Sequence, residues 1–176
     1  MSETRARLEK IEHLASCLRH LRATEIAAGV AYLSGEPLQG RIGIGWATLR
    51  DASSDSAASE PSLELLEVHQ AFERIASVSG AGSTAERTRL LHELLTRATR
   101  EEQDFLSRLL IGELRQGALE GVMVEAIARA ADLHARDVRR AFMLAGDLTS
   151  VAQAALGEGP AGLARFSIQL FRPIQP

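Results

Sequence analysis

Long stretches of this chain place apolar residues three and four positions apart, and that rhythm restricts it to helices packed on helices. Val122, Ala126, Ala130 and Leu133 show the pattern well, lying on one face of a helix as a buried stripe. Alanine and leucine dominate, and only 4% of the residues are aromatic. The expectation is an all-α fold of about nine or more helices. At 176 residues the chain can bury one sizeable core, or two small lobes sharing one.

The order of elements follows from caps and breakers. A first helix is expected over 4–22, with Leu8, Ile11, Leu14, Cys17, Leu18 and Leu21 inward. A second, capped by Thr24, runs to about Leu33 and stops at Ser34-Gly35. A short helix from Trp46 to about Asp51 precedes a polar, small-residue connector over 52–61, expected to be mobile and to hold no site. The next helix spans 63–78, turns Leu66, Ala71, Phe72 and Ile75 inward, and ends at Ser79-Gly-Ala-Gly82. Ser83 or Thr84 caps a fifth, with Leu90, Leu91, Leu94 and Leu95 inward. Thr99 and Glu102 make a capping box for a sixth, which reaches Leu110 or Ile111. Helices over 119–132 and from Ala135 to Gly146 follow, with a further one to Leu156. Gly157–Gly162 breaks the pattern, and Phe166–Phe171 alternates like a short extended tail.

Several function classes are disfavoured. The net charge of −3 argues against a uniformly basic nucleic-acid binder but leaves room for a local basic face. Of the 20 cationic side chains only Lys10 is a lysine, so chemistry needing a nucleophilic lysine has one candidate. The lone Cys17 excludes a disulfide framework and a cysteine zinc site. Among Leu14, Leu18 and Leu21 it reads as a buried structural thiol. His13, His20, His69, His92 and His134 are scattered without metal-ligand spacing. No Walker-type loop or serine nucleophile elbow is present. No apolar run approaches the roughly 20 residues of a spanning helix, and no signal peptide is evident, so a cytoplasmic protein without membrane contact is expected.

What remains is a set of glycine corners. In Leu110-Ile-Gly-Glu-Leu-Arg-Gln-Gly117 a helix ends, turns through Arg115 and Gly117, and opens at Ala118 into the next helix. The free N–H groups of such a start, with the helix dipole, favour an anion, and Arg115 adds a fork suited to phosphate oxygens. The first half carries a degraded copy: Leu33-Ser-Gly-Glu36 echoes Leu110-Ile-Gly-Glu113, and Arg41-Ile-Gly43 echoes Arg115-Gln-Gly117. The echo suggests pseudo-repeats over about 1–60 and 83–156 within one pseudo-twofold helical domain. Ser79-Gly-Ala-Gly-Ser83 is a third corner, with Arg87 one turn on. Each could be a plain packing turn; together they suit a polyanion backbone. Trp46 reads as a partly buried anchor of the first-half core, with base stacking the alternative.

With these residues in view, the chain resembles the N-terminal DNA-binding domain of ATP-dependent DNA ligases, of the bacterial and archaeal type related to the eukaryotic replicative enzyme. The resemblance rests on Ile44-Gly45, Ser79-Gly-Ala-Gly-Ser83, Gly112-Glu-Leu-Arg-Gln-Gly117, Ala141-Phe-Met-Leu-Ala-Gly-Asp-Leu148 and Phe171-Arg-Pro-Ile-Gln-Pro176. It implies a helical DNA-binding domain over 1–170, with 171–176 leading into a nucleotidyltransferase domain. The family's catalytic Lys-x-Asp-Gly motif is absent from this sequence, so the expectation is a non-catalytic fragment. For the whole enzyme the resemblance implies ATP and Mg2+ as cofactors, and nicked double-stranded DNA as partner. It also implies nucleotidyltransferase and OB-fold domains further along the same chain, and a nucleoid-associated place in the cytoplasm.

Carried over residue by residue, Arg115, Gly117 and Ala118 would make the principal phosphate contacts. Gly43, Gly45 and Trp46 would serve the first-half corner, and Gly82, Ser83 and Arg87 the third. The resulting grip would span the minor groove through phosphates, without reading sequence, for nick sealing in replication and repair. The rival reading is a helical protein-interaction adaptor whose glycine corners only pack. Salt separates the two, because phosphate contacts weaken steeply with ionic strength and an apolar groove does not.

Overall fold

The computed structural model describes residues 2–53, 56–114 and 119–166, the side chains of 2–4 and 119 excepted. Among the described residues there are nine helices and no strand, in agreement with the all-α expectation. They are α1 (Ser2–Arg19), α2 (Ile26–Leu33), α3 (Trp46–Ala52), α4 (Leu65–Ser77), α5 (Ser83–Thr96), α6 (Arg100–Leu110), α7 (Leu119–Ala130), α8 (Ala135–Ala145) and α9 (Leu148–Leu163). They belong to two compact units. One joins the chain's first and last segments, 1–34 and 116–176; the other is the intervening 35–115. The chain therefore passes between the units at Ser34–Gly35 and Arg115–Gln116, within the two corners whose sequences echo each other.

The unit built from the two ends is centred on α7. Val122, Met123, Val124, Ala126, Ile127 and Ala128 are all buried, so this helix is covered nearly all round rather than along a single stripe. α1 lies along it and contributes Ile11, Ala15 and Leu18, while α8 and α9 add Val138, Ala141, Val151, Ala152 and Ala155. Alanines recur at the contacts between these helices, as at Ala15, Ala126, Ala141 and Ala152, and small side chains let the axes approach closely. Where α1 and α7 emerge to solvent, charged pairs line the seam: Arg7 with Glu125 at 3.0 Å and Arg129 with Glu12 at 3.0 Å. Two inward assignments on α1 are corrected here. Leu8 is 52% exposed and Cys17 is exposed, because Ala15 takes the inward position between Ile11 and Leu18. Cys17 is thus a surface thiol, which partial desolvation pushes above its ordinary pKa, away from the reactive thiolate.

Helix boundaries are set by specific caps. The Asp147 carboxylate accepts hydrogen bonds from the Thr149 and Ser150 backbone N–H groups at 3.1 and 3.2 Å, starting α9. α9 also runs further than Leu156. Gly159, at φ 62° and ψ −139°, kinks the helix instead of ending it, and Pro160 restarts the last turn to Leu163. Thr24 does not cap α2; Glu25 holds that position, its buried carboxylate gripped by the Arg22 backbone N–H and guanidinium.

The intervening unit packs α3 and α4 against α5. Its buried side chains include Leu49, Val68, Phe72, Ile75, Leu91, Leu94, Leu95 and Leu106, with Phe72 and Ile75 fully enclosed. Leu66 and Leu90 are only partly buried. The capping box at Thr99 forms as expected: the Glu102 N–H donates to the Thr99 hydroxyl, and the Thr99 N–H to the Glu102 carboxylate at 2.8 Å. The connector expected to be mobile is tied down where it is described. Ala58 N–H donates to the Ala98 carbonyl at 2.9 Å, and the buried Gln103 amide donates to the carbonyls of Ser56 and Leu95. Ser54 and Asp55 lie outside the described residues.

Candidate nucleic-acid interface

The first-half corner is built by alternating burial. Arg41 is exposed, Ile42 is buried at 5% and Gly43 is exposed again, so Ile42 pins the loop while its neighbours face outward. The preceding turn closes through a hydrogen bond from Gly40 N–H to the Pro37 carbonyl at 2.9 Å. Gly45 is the N-cap of α3 in extended conformation, with no side-chain cap, and a Cβ at Gly40 or Gly45 would meet nothing within 4 Å. No hydrogen bond or ion pair engages the Arg41 side chain among the described residues. Among the described residues this corner therefore offers bare backbone and an unpartnered guanidinium to solvent.

Trp46 corrects an expectation. It is 65% exposed, not an anchor of the core; Leu49 and Ala52 of α3 are buried and fill that role. Arg50 stands one turn further along and, with Trp46, Ala47, Leu49 and Ser53, lines an open hollow. The sequence reading passed over Arg50. Its four-residue spacing from Trp46 was the available signal.

The third corner turns through Gly80 and Gly82 at φ 84° and 80°. Gly82, in the left-handed region, is the N-cap of α5, so neither Ser83 nor Thr84 is the cap. The Ser83 N–H is used internally, donating to the Gly80 carbonyl at 3.2 Å.

Arg87 joins this corner to the first. Its Nη2 donates to the Val78 carbonyl at 2.5 Å, and its guanidinium packs against Gly43 so closely that a Cβ there would lie 3.1 Å from Cζ. Arg87 Nε is enclosed without a hydrogen-bond partner. Two corners treated separately in the sequence are thus one locality, riveted by a half-buried arginine. Arg89, also near the start of α5, is held by Glu86 at 2.6 Å and by Glu93, which raises its pKa and occupies its fork.

Arg115, Gly117 and Ala118 lie outside the described residues, as does the tail over 167–176. The approach to that corner is described. α6 ends at Ile111, Gly112 takes φ 78°, and Glu113 N–H donates back to the Arg108 carbonyl at 2.9 Å, a left-handed helix stop.

Among the described residues, no group of three His, Cys, Asp or Glu side chains is placed to hold a metal ion. No helix among them is long and apolar enough to cross a membrane.

Residues 51–128 match the family model described as "DNA ligase N terminus". The whole chain is similar to a probable DNA ligase of Anaeromyxobacter sp. (strain Fw109-5), at 54% identity over 177 residues. A probable DNA ligase of Mycolicibacterium gilvum is 52% identical over 97% of the chain, and one of Nocardia farcinica 50% identical over 98%. The chain spans about a third of the length of these curated relatives: 34%, 33% and 33%. With identity sustained from end to end, the chain belongs to the family of the DNA ligase N-terminal domain.

Proposed function

We propose that this chain is the non-catalytic DNA-binding part of an ATP-dependent DNA ligase, gripping nicked double-stranded DNA through minor-groove phosphates without reading sequence. Its membership of the ligase N-terminal family supports the reading. The observation that carries it is the joined pair of corners around Arg87. There, nothing meets the missing Cβ positions of Gly40, Gly45, Gly80 and Gly82 within 4 Å, Arg41 has no partner among the described residues, and no side chain caps the first turn of α5. Such a surface positions a phosphate backbone and has little with which to discriminate bases.

Within this reading the residues divide by role. Arg41 and Arg115 neutralise phosphates. Gly43, Gly45, Gly82, Ser83, Gly117 and Ala118 let the DNA backbone approach main-chain N–H groups. Arg87 holds the joined corners in shape, since its Nη2 and Nε are already enclosed within the protein. The two echoing corners, where the chain passes between its units, act as equivalent grips. Adenylation and sealing, with ATP and Mg2+, belong to nucleotidyltransferase and OB-fold domains of the full-length enzyme.

The test is the salt dependence of binding to a labelled nicked duplex. Arg41→Ala and Arg115→Ala should each weaken binding uniformly across sequences and reduce the slope of log K against log salt by about one. Folded variants that leave the slope unchanged would remove these arginines from the contact set.

A further inference from the structure

The chain contains a single tryptophan, and it is the most exposed of the large apolar side chains among the described residues. Burying an indole is ordinarily among the larger hydrophobic gains open to a helical fold, yet Trp46 stands 65% exposed. Beside it is an open hollow of about 670 Å³ lined by Trp46, Ala47, Leu49, Arg50 and Ser53. No carboxylate among the described residues lines this hollow. Among the described residues its one charge is the Arg50 guanidinium, whose Nε and Nη2 donate to the Asp51 carboxylate, just outside the lining, at 3.2 and 3.1 Å. The approach from the preceding corner is bare, because nothing lies within 4 Å of the missing Cβ positions of Gly40 and Gly45. Arg41, in the same corner, is a cation that has no partner among the described residues.

A flat aromatic face, an apolar floor and a cation at the rim fit a ligand that is itself flat, aromatic and anionic. We propose that the Trp46 face is a stacking platform for an unstacked nucleobase, presented by a gap or a frayed strand end in the bound DNA. Arg41 meets a phosphate flanking that base, and Arg50 reaches another on giving up its bond to Asp51. Aromatic faces accept any base, so the platform adds affinity for interrupted duplex without sequence preference. The stacking interruption at a gap lowers the energy needed to turn a base outward. The inference rests on the DNA-binding reading above and goes further than it, in giving this surface a preference for damaged over continuous duplex.

The single tryptophan makes the test direct. The chain is titrated with fluorescein-labelled duplexes of one sequence, either continuous or carrying a one-nucleotide gap. Anisotropy of the label reports binding, and emission from Trp46, read with unlabelled DNA, reports stacking. The expected result is strong quenching of Trp46 by the gapped duplex and little by the continuous one. In Trp46→Ala, affinity for the gapped duplex should fall by about tenfold or more while continuous-duplex affinity changes little; Trp46→Phe should retain most of the preference. Because the side chain is exposed, circular dichroism should show Trp46→Ala folded. Binding by anisotropy with unchanged Trp46 emission would overturn the platform and leave the DNA-binding reading intact. No binding of either duplex at low salt would overturn both.

Discussion

Asp147 shows how much one side chain sets at the residue scale. Partial burial pushes its carboxyl pKa up. Hydrogen bonds from the Ser150 and Thr149 hydroxyls and backbone N–H groups outweigh that and hold it below the ordinary 3.8. The folded state thus binds the ionised form. Its contribution is complete above the ordinary aspartate range and is lost as pH falls through the lower folded value. Asp147→Ala should destabilise the chain by about 1 kcal/mol near neutrality. In urea unfolding, the gap between variant and wild type should narrow as pH is taken below 3.8; a gap independent of pH would show that the cap acts without its charge.

Gly43 is the other telling residue. At φ 76°, it sits in the left-handed region, and a Cβ there would press to 3.1 Å from the Arg87 guanidinium, which would have to give way. Gly43→Ala should lower stability by about 1–2 kcal/mol for the left-handed conformation alone. Under the proposed function it should weaken DNA binding too. An alanine variant of full stability would mean that the corner relaxes away from Arg87. The glycine corners were legible in the sequence as turns. Their convergence on Arg87 was not, since the contact joins positions 43 and 87 across the fold. The states of Trp46 and Cys17 were misread for one reason: local neighbours on a helix do not reveal which face a partner helix covers. Ala15 and Leu49 are covered, and the two larger side chains are left out.

At the scale of elements, helix periodicity and caps carried most of the information. The capping box of α6 and the extents of α3 to α6 are properties of a few consecutive residues, and such local chemistry is readable without the fold. α7 shows the limit. A helix buried nearly all round loses its amphipathic signal, so one stripe was visible where three faces are enclosed. The continuation of α9 through Gly159 and Pro160 was hidden for a related reason. A Gly-Pro pair reads as a stop, yet proline suits the first turn of a restarted helix.

The 52–61 connector was misjudged because its restraint comes from a distant side chain. Gln103→Leu would leave the Ser56 and Leu95 carbonyls without the donor that the buried amide supplies. It should destabilise the chain by about 1–3 kcal/mol, with faster amide exchange at Ala58. Unaltered exchange there would mean that the bond to the Ala98 carbonyl alone secures the segment.

For the whole molecule, the division into a discontinuous two-end unit and an inserted central unit was not legible, because it depends on which helices pack across more than 80 residues of chain. The family was legible, because it is carried by short corner motifs. A chain of net charge −3 is an unpromising DNA ligand by composition alone. Distribution resolves this: most arginines are spent on neighbouring carboxylates, as Arg7, Arg89, Arg97 and Arg129 are, while Arg41 has no such partner among the described residues. Local fields at the contact decide binding, not the total.

The most direct test of the central claim is fluorescence anisotropy of the chain against a labelled nicked duplex, from low to physiological salt, repeated with a second, unrelated sequence. Arg41 and Arg115 each neutralising one phosphate predict a slope of log K against log salt of about −2, the same for both sequences. Binding that ignores salt, binding that separates the two sequences, or no binding at low salt would each contradict the account.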